Sequence, residues 1–180
     1  MNATQPGNVL KYCPKCGSSH FLFDGSKSFK CKDCGFHFFI NSACAVAAII
    51  VNDEGNILLT RRAVEPNAGM LDLPGGFVDP METVEDCLLR EIKEELNLDI
   101  TSFKYLVSFP NQYVFSGYTV YTIDLGFVCQ VKSLDNMHAQ DDISGYEFIN
   151  PAEIEFQKVS SDSIRNIIKT YINRPDSDLD

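Results

Sequence analysis

Residues 75–98 read GGFVDPMETVEDCLLREIKEELNL. Pro74, Gly75 and Gly76 break the backbone just before it. Thr83 with Asp86 three residues on resembles a capping box, and Asn97 tolerates the left-handed conformation that closes a helix, so a helix is expected over about Thr83–Leu96. On that helix Glu91, Glu94 and Glu95 are spaced i, i+3, i+4 and share one face over an arc of about 100°. Near a helix C-terminus they repel one another and oppose the macrodipole, each by about a few tenths of a kcal/mol. Lys93 points to the opposite side, and Arg90 pairs with Glu94 one turn on, which leaves Glu91 and Glu95 uncompensated. Hard divalent cations compensate such a cluster, with all-oxygen ligation that suits Mg2+ or Mn2+. The bland alternative is a solvated acidic patch.

Outward from this helix the chain alternates strands and loops. Ala43–Val51 reads as a buried strand, Asn52–Asn56 as a turn and Ile57–Arg62 as the returning strand. Val64–Leu73 reads as loop. After the helix, strands are expected at Phe103–Ser108, Tyr113–Phe115 and Tyr118–Val131, loop over Lys132–Gly145, a short strand at Tyr146–Ile149 and a second helix over Val159–Tyr171. The natural sum is an α/β (α+β) class fold, a mixed α/β sandwich behind a small N-terminal metal module. The expected boundaries are a loose tail over 1–10, the module over 11–40, the main domain over 41–174 and a polar tail over 175–180.

The module is organised by Cys13, Cys16, Cys31 and Cys34, a Cys-x2-Cys-x14-Cys-x2-Cys pattern with Gly17 and Gly35 after the two pairs. Each Cys-x-x-Cys turn points both sulfurs one way, and four thiolates suit a tetrahedral structural zinc ion. With all four positions cysteine, no site is left open for catalysis. Four free thiols or a redox relay are the alternatives. Thirty residues bury too little apolar surface to fold alone, so a metal staple or a neighbouring surface is required. Seven cysteines in all, three of them (Cys44, Cys87, Cys129) among apolar neighbours, fit a reduced cytoplasmic chain better than a disulfide framework.

Counted from Gly76, the opening segment follows G-x5-E-x7-R-E-U-x-E-E-x-N-U, where U is bulky aliphatic: Gly76, Glu82, Arg90, Glu91, Ile92, Glu94, Glu95, Asn97 and Leu98. This resembles the Nudix box at eight of its nine specified positions; Asn97 stands where the family has Gly. The resemblance covers about Asn41–Tyr171 and implies an α/β/α sandwich with a mixed sheet. A ribbon followed by a Nudix domain is similar to the NADH pyrophosphatase branch, whose Ser-Gln-Pro-Trp-Pro-Phe-Pro-like element does not match Ser108–Tyr113 here. By resemblance, Mg2+ or Mn2+ is held by Glu91, Glu95 and Glu94, with the Gly76 or Gly75 carbonyl completing the shell, while Arg90 and Glu82 orient the cluster. The implied general base is Glu94 or Glu91, or an acidic residue of a later loop, Asp141 or Asp142. The implied reaction is attack of water on one phosphorus of a nucleoside diphosphate linked to another group, in the NADH, FAD or ADP-ribose class. Family members are commonly homodimers.

Arg61 and Arg62 are candidate phosphate contacts, against a reading as edge arginines with buried stems. Tyr113, Phe115, Tyr118 and Tyr121 are candidate base-stacking residues, against a reading as core. His20, His37 and His138 have no partner spacing and receive no role. The chain has 180 residues, about one domain with an appendage, and ordinary globular composition at 44% hydrophobic and 22% charged. Its longest apolar run, Ala43–Val51, is about half the length of a membrane span, and the first ten residues lack secretory-signal character. A formal charge of −10 argues against a global grip on nucleic acid, although a local basic patch survives that argument. Two other functions compete: a nucleotide-sensing regulator whose ribbon, with Lys11, Lys15, Lys27, Lys30 and Lys32, grips DNA or protein, and a house-cleaning nucleoside triphosphate pyrophosphatase.

Overall fold

The computed structural model describes residues 3–174, which fall into two compact units: residues 3–43 with 112–121, and residues 44–111 with 122–174. In the first unit, β1 (Phe21–Phe23), β2 (Ser28–Cys31) and β3 (His37–Phe39) form an antiparallel sheet in the order β1-β2-β3. Phe21 and Phe29 stack at 4.8 Å and, with Cys13 and Cys31, make its small core. The first ten residues, expected as a loose tail, contain a helical turn, α1 (Pro6–Val9), with Pro6 buried. The reason lies more than a hundred residues away in the chain. Thr119 donates its amide to the Thr4 carbonyl at 2.8 Å, and the Tyr121 hydroxyl donates to the Gln5 side chain.

The second unit shows why Ala43–Val51 is almost unbroken in apolar character. Strand β4 (Ala43–Ile50) buries both of its faces. Val46, Ala48 and Ile50 meet Cys87, Leu88, Ile92 and Leu96 of α2 (Val84–Leu96), while Ala47 and Ile49 meet Ile164, Ile167 and Ile168 of α3 (Asp162–Ile172). Strand β5 (Ile57–Arg62) repeats the division, Leu58 toward α2 and Ile57 and Leu59 toward α3. Period-two alternation on strands against period-3.6 stripes on two helices makes an α/β/α sandwich. Its strands form two three-stranded sheets. One, ordered β4-β8-β7, adds β7 (Ile100–Phe115) and β8 (Tyr118–Val131). The other, ordered β6-β5-β9, adds β6 (Leu71–Asp72) and β9 (Ile143–Ile149).

Several expected boundaries move: Leu71–Asp72, expected as loop, forms β6, and β7 begins at Ile100 in place of Phe103. Strand β7 runs through Ser108–Tyr113 without a break, because β7 is an edge strand and Pro110 there needs no ladder partner for a missing N–H. Strand β9 starts at Ile143, not Tyr146, and its pairing with β5 shifts register at Arg61/Arg62 to accommodate the extra residues. Helix α3 starts at Asp162, not Val159: the Ser161 side chain accepts the Ile164 amide and caps the helix, while Val159 bridges to Leu71 in the core. The expected tail over 175–180 lies outside the described residues. No described helix is long and apolar enough to cross a membrane.

Candidate active site

The loop before α2 is laid along β4 by three backbone bonds: Ala48 to the Pro74 carbonyl (2.8 Å), Val46 to the Gly76 carbonyl (2.9 Å) and Val78 to the Cys44 carbonyl (3.0 Å). Both glycines are required by space. Gly75 has φ +142°, and a Cβ there would lie 2.1 Å from the Val46 carbonyl oxygen. A Cβ on Gly76 would lie 2.4–2.6 Å from the carboxylate of Glu91. Thr83 caps α2 by accepting the Asp86 amide at 3.1 Å, and Asn97 closes it in the left-handed region at φ 54°. Asn97 therefore does at this position what Gly does elsewhere.

Arg90 is the centre of the polar network. Its Nε and Nη2 donate to the two oxygens of Glu82 (2.8 and 2.9 Å), Nη1 to Glu91 Oε1 (2.7 Å) and Glu94 Oε2 (3.0 Å), and Nη2 also to the Phe77 carbonyl (3.1 Å). The expectation that Glu91 is left uncompensated is thus corrected: one guanidinium reaches the neighbouring residue as well as the one a turn on. Lys93 turns away to Asp99 at 2.9 Å. The paired guanidinium and the Asp79 amide hold Glu82 at about 2, well below the usual carboxylate range.

The other carboxylates shift the opposite way. Glu95 is 6% exposed and accepts one bond, from the Gly75 amide to Oε2 at 2.9 Å. Burial pushes its pKa up to about 8, with the charges of Glu91, Asp72 and Asp141 adding to the effect. Burial also raises Glu91, against the pull of Arg90. Among the described residues, each of the three helix glutamates has one oxygen pinned and one not: Glu91 Oε1 and Glu94 Oε2 by Arg90, Glu95 Oε2 by Gly75. Glu82 has both oxygens engaged. The glutamates are not drawn into a tight cage; among the described residues only the four ribbon cysteines form a set of three or more such ligands within 4.8 Å.

Asp141 reaches this neighbourhood because its loop caps the helix. Gln140 donates its amide to the Glu95 carbonyl (2.9 Å), His138 to that of Leu96 (3.3 Å), and Asn97 Nδ2 bonds the Asn136 carbonyl. The charge of Asp141 is felt by both Glu91 and Glu95; Asp142 is engaged through its carbonyl by the Ala63 amide. Arg61 and Arg62 are occupied by protein partners, Arg61 with Glu147 (2.6 Å) and the Gly69 carbonyl, Arg62 with Asp72 (3.0 Å) and the Pro66 carbonyl. Asp72 was not singled out in the sequence. It is a partly buried acid held by Arg62, Ser160 and the Leu73 amide, and its charge bears on Glu95. Nothing local marks it, since its partners come from distant segments.

The four cysteine sulfurs lie within 4.8 Å of one another, with Cys13–Cys34 and Cys16–Cys31 both at 3.7 Å. A tetrahedral ion with bonds of about 2.3 Å separates its ligands by about 3.8 Å. None of the seven cysteines forms a disulfide.

The NUDIX domain matches residues 42–170. The chain belongs to the Nudix family. It is 33% identical over 102 residues to the NAD-capped RNA hydrolase NudC of Vibrio parahaemolyticus, covering 56% of this chain and 38% of that protein. To the protein of the same name from Pseudomonas fluorescens (strain Pf-5) it is 23% identical over 168 residues, covering 91% of this chain and 56% of that one. The chain therefore spans between about two fifths and just over half of these relatives' lengths. A NUDIX hydrolase structure from Nitrosomonas europaea has a TM-score of 0.64 at 21% identity, covering 91% of this chain and 90% of that one. The NUDIX domain of Shewanella oneidensis NrtR, crystallised with ADP ribose, has a TM-score of 0.62 at 20% identity over 76% of this chain and 90% of its own. These structural likenesses establish the fold of this Nudix chain.

Proposed function

We propose that the chain is a Mg2+- or Mn2+-dependent Nudix pyrophosphohydrolase that cleaves the diphosphate of a nucleoside diphosphate linked to a second group, with dinucleotides of the NAD class first and FAD and ADP-ribose beside them. One observation carries this reading: three glutamates on one turn of α2, each with one oxygen pinned by the protein and the other unengaged. That donor set, with one carboxyl pushed up to about 8 by burial, fits a hard divalent cation. Glu91, Glu95 and Glu94 would hold the ion, with the Gly76 or Gly75 carbonyl as a further donor. When bound, the ion neutralises diphosphate oxygens and lowers the pKa of a coordinated water.

The residues supply the rest. Arg90, locked to Glu82 in a bidentate pair, fixes the Glu91 and Glu94 carboxylates, so Arg90 and Glu82 are positioning residues. Glu94, the most exposed of the three, and Asp141, on the capping loop, are the groups placed to accept a proton from water. The names of the curated relatives, and the ADP ribose in a Nudix neighbour, support a substrate built on adenosine diphosphate. The ribbon cysteines are assigned to a structural zinc ion, and a reduced, cytoplasmic setting suits those free thiols.

The test is product release from NADH, FAD, ADP-ribose and nucleoside triphosphates with Mg2+ or Mn2+. The reading expects metal-dependent release of a nucleoside monophosphate from a dinucleotide and at least about a hundredfold loss in Glu94→Gln with Glu95→Gln. Turnover unchanged in that double variant overturns it. Faster release from triphosphates than from any dinucleotide moves the enzyme to the house-cleaning class.

A further inference from the structure

Leu71 and Leu73 are each 4% exposed and pack in the core under α3, so by alternation Asp72 between them faces the other side of the sheet, toward α2. On the neighbouring strand Leu58 packs against α2, and Thr60, the register partner of Asp72, and Arg62 follow it at the same period. The sequence thus puts an acid and a base on the face that carries the glutamates, at the residue that leads into the catalytic loop. Neither is left to solvent: the Asp72 side chain is 13% exposed and that of Arg62 30%.

The loop beyond Asp72 is bonded along both of its edges. On one edge the Pro74 and Gly76 carbonyls accept the Ala48 and Val46 amides of β4. On the opposite edge the Leu73 amide donates to Asp72 Oδ1 and the Gly75 amide to Glu95 Oε2, both at 2.9 Å. Two carboxylates therefore hold this short segment from the side that faces α2, one at its entry and one at its glycine. Asp72 is itself braced. Its Oδ2 accepts from Arg62 Nη1 at 3.0 Å and from the Ser160 hydroxyl at 2.8 Å. Arg62 is locked in turn by the Pro66 carbonyl at 2.9 Å, and Ser160 by its amide bond to the Leu71 carbonyl at 2.8 Å. The charge of Asp72 is felt by Glu95.

We propose that Asp72, braced by Arg62 and Ser160, is a positioning residue of the cation site: it fixes the entry of the loop 73–76, and through it the Gly75 amide that orients Glu95 and the Gly76 backbone that packs against Glu91. The inference rests on the proposed function, in which Glu91 and Glu95 meet the ion. It gives Arg62, a candidate phosphate contact by sequence, a different task. Groups that stand behind the ligands set their direction, and losing one lowers metal affinity although no ligand is touched. Here the transmission is short. Two residues separate the Leu73 amide on Asp72 from the Gly75 amide on Glu95, and Pro74 between them restricts the backbone.

The test titrates Mn2+ into the full zinc-loaded chain without nucleotide and reads the free ion by EPR. Asp72→Ala weakens Mn2+ binding about tenfold. Asp72→Asn weakens it less, because the amide oxygen still accepts the Leu73 amide. A matched pair of hydroxyl deletions covers the case in which Asp72→Ala does not fold. Ser160→Ala removes one bond from Asp72, and Ser163→Ala removes one from Asp124, a buried acid that Thr122 and Ser163 hold beside α3. Neither deletion changes the charge of the chain. Ser160→Ala weakens Mn2+ about threefold, whereas Ser163→Ala lowers Tm and leaves Mn2+ affinity where it was. A merely structural role for Asp72 would move Tm alone. Mn2+ affinity unchanged in a folded Asp72→Ala, or the same in Ser160→Ala and Ser163→Ala, overturns the proposal and leaves the hydrolase reading standing. A wild-type chain that binds no Mn2+ at all overturns the hydrolase reading, and this inference with it.

Discussion

Glu95→Gln is expected to make the metal-free protein more stable while removing its activity, and the effect should grow with pH. In the folded protein the Glu95 carboxyl sits at about 8 against an ordinary 4.5, through burial first and neighbouring acids second. The folded value lies above the unfolded one, so the unfolded chain loses this proton first. The contribution to stability is whole below about pH 4.5, falls by about 1.4 kcal/mol per pH unit between there and pH 8, and is gone above. The penalty that Glu95 places on the fold is thus about 3 kcal/mol at pH 7 and about 5 kcal/mol at pH 9. Glutamine cannot ionise, and its amide oxygen still accepts the Gly75 N–H, so the variant escapes the penalty without losing the bond. For a chain of this size, 1 kcal/mol moves Tm by about 2–4 °C, which puts the variant about 10–20 °C above wild type at pH 9 and nearly level with it near pH 5.

The assay is thermal unfolding from pH 5 to 9 without Mg2+ or Mn2+, with no chelator so that the ribbon keeps its metal. Added Mg2+ should close the gap by raising the wild type alone, since a ligand stabilises only the state that binds it. A difference that does not change with pH, or a variant less stable than wild type at every pH, refutes the argument that Glu95 is a buried carboxyl waiting for a cation.

Other outcomes follow from the same geometry. Gly76→Ala drives a methyl group into the Glu91 carboxylate, so Mn2+ affinity measured by EPR and kcat should both fall at least about a hundredfold while α2 stays helical by circular dichroism. Arg90→Gln releases Glu91 and Glu94 and lets Glu91 rise further, so the acid limb of the kcat/KM profile should move to higher pH. Asn97→Gly should leave stability within about 0.5 kcal/mol, since relief of the left-handed backbone offsets the lost bond to Asn136, whereas Asn97→Val should cost about 1–2 kcal/mol in chemical denaturation. Cys31→Ser should abolish stoichiometric zinc by elemental analysis and expose Phe29, read as increased ANS fluorescence, while leaving the Nudix box helix intact.

Much of this was legible because its determinants are local. Helix α2 and its two caps are written in consecutive residues, so Thr83, Asn97 and the glutamate face follow from spacing alone. The cysteine cluster is equally plain, two tight turns and one loop. The illegible parts depend on partners far away in sequence. The turn at Pro6–Val9 depends on Thr119 and Tyr121, the continuity of β7 through Pro110 on its being an edge strand, and the occupation of Arg62 on Asp72 and Pro66. Spacing also misjudged Arg90. A helical wheel assigns it one partner at i+4, but a guanidinium with five donors also reaches Glu91 at i+1 and Glu82 eight residues back.

That difference bears on the choice between an acidic patch and a cation site, which the spacing alone leaves open. A solvated patch would leave its carboxylates exposed and ordinary in pKa. Here Glu95 is sunk against the Gly75 amide, Glu91 fills the space a side chain at residue 76 would need, and Arg90 ties both ends of the loop and helix together. Glu82, saturated on both oxygens and held near 2, belongs to the frame. Glu91, Glu94 and Glu95 each keep one oxygen in reserve. A fold that buries Glu91 and Glu95 and raises their pKa values is destabilised by them. On the proposed function, a divalent cation is the positive charge that would offset this cost.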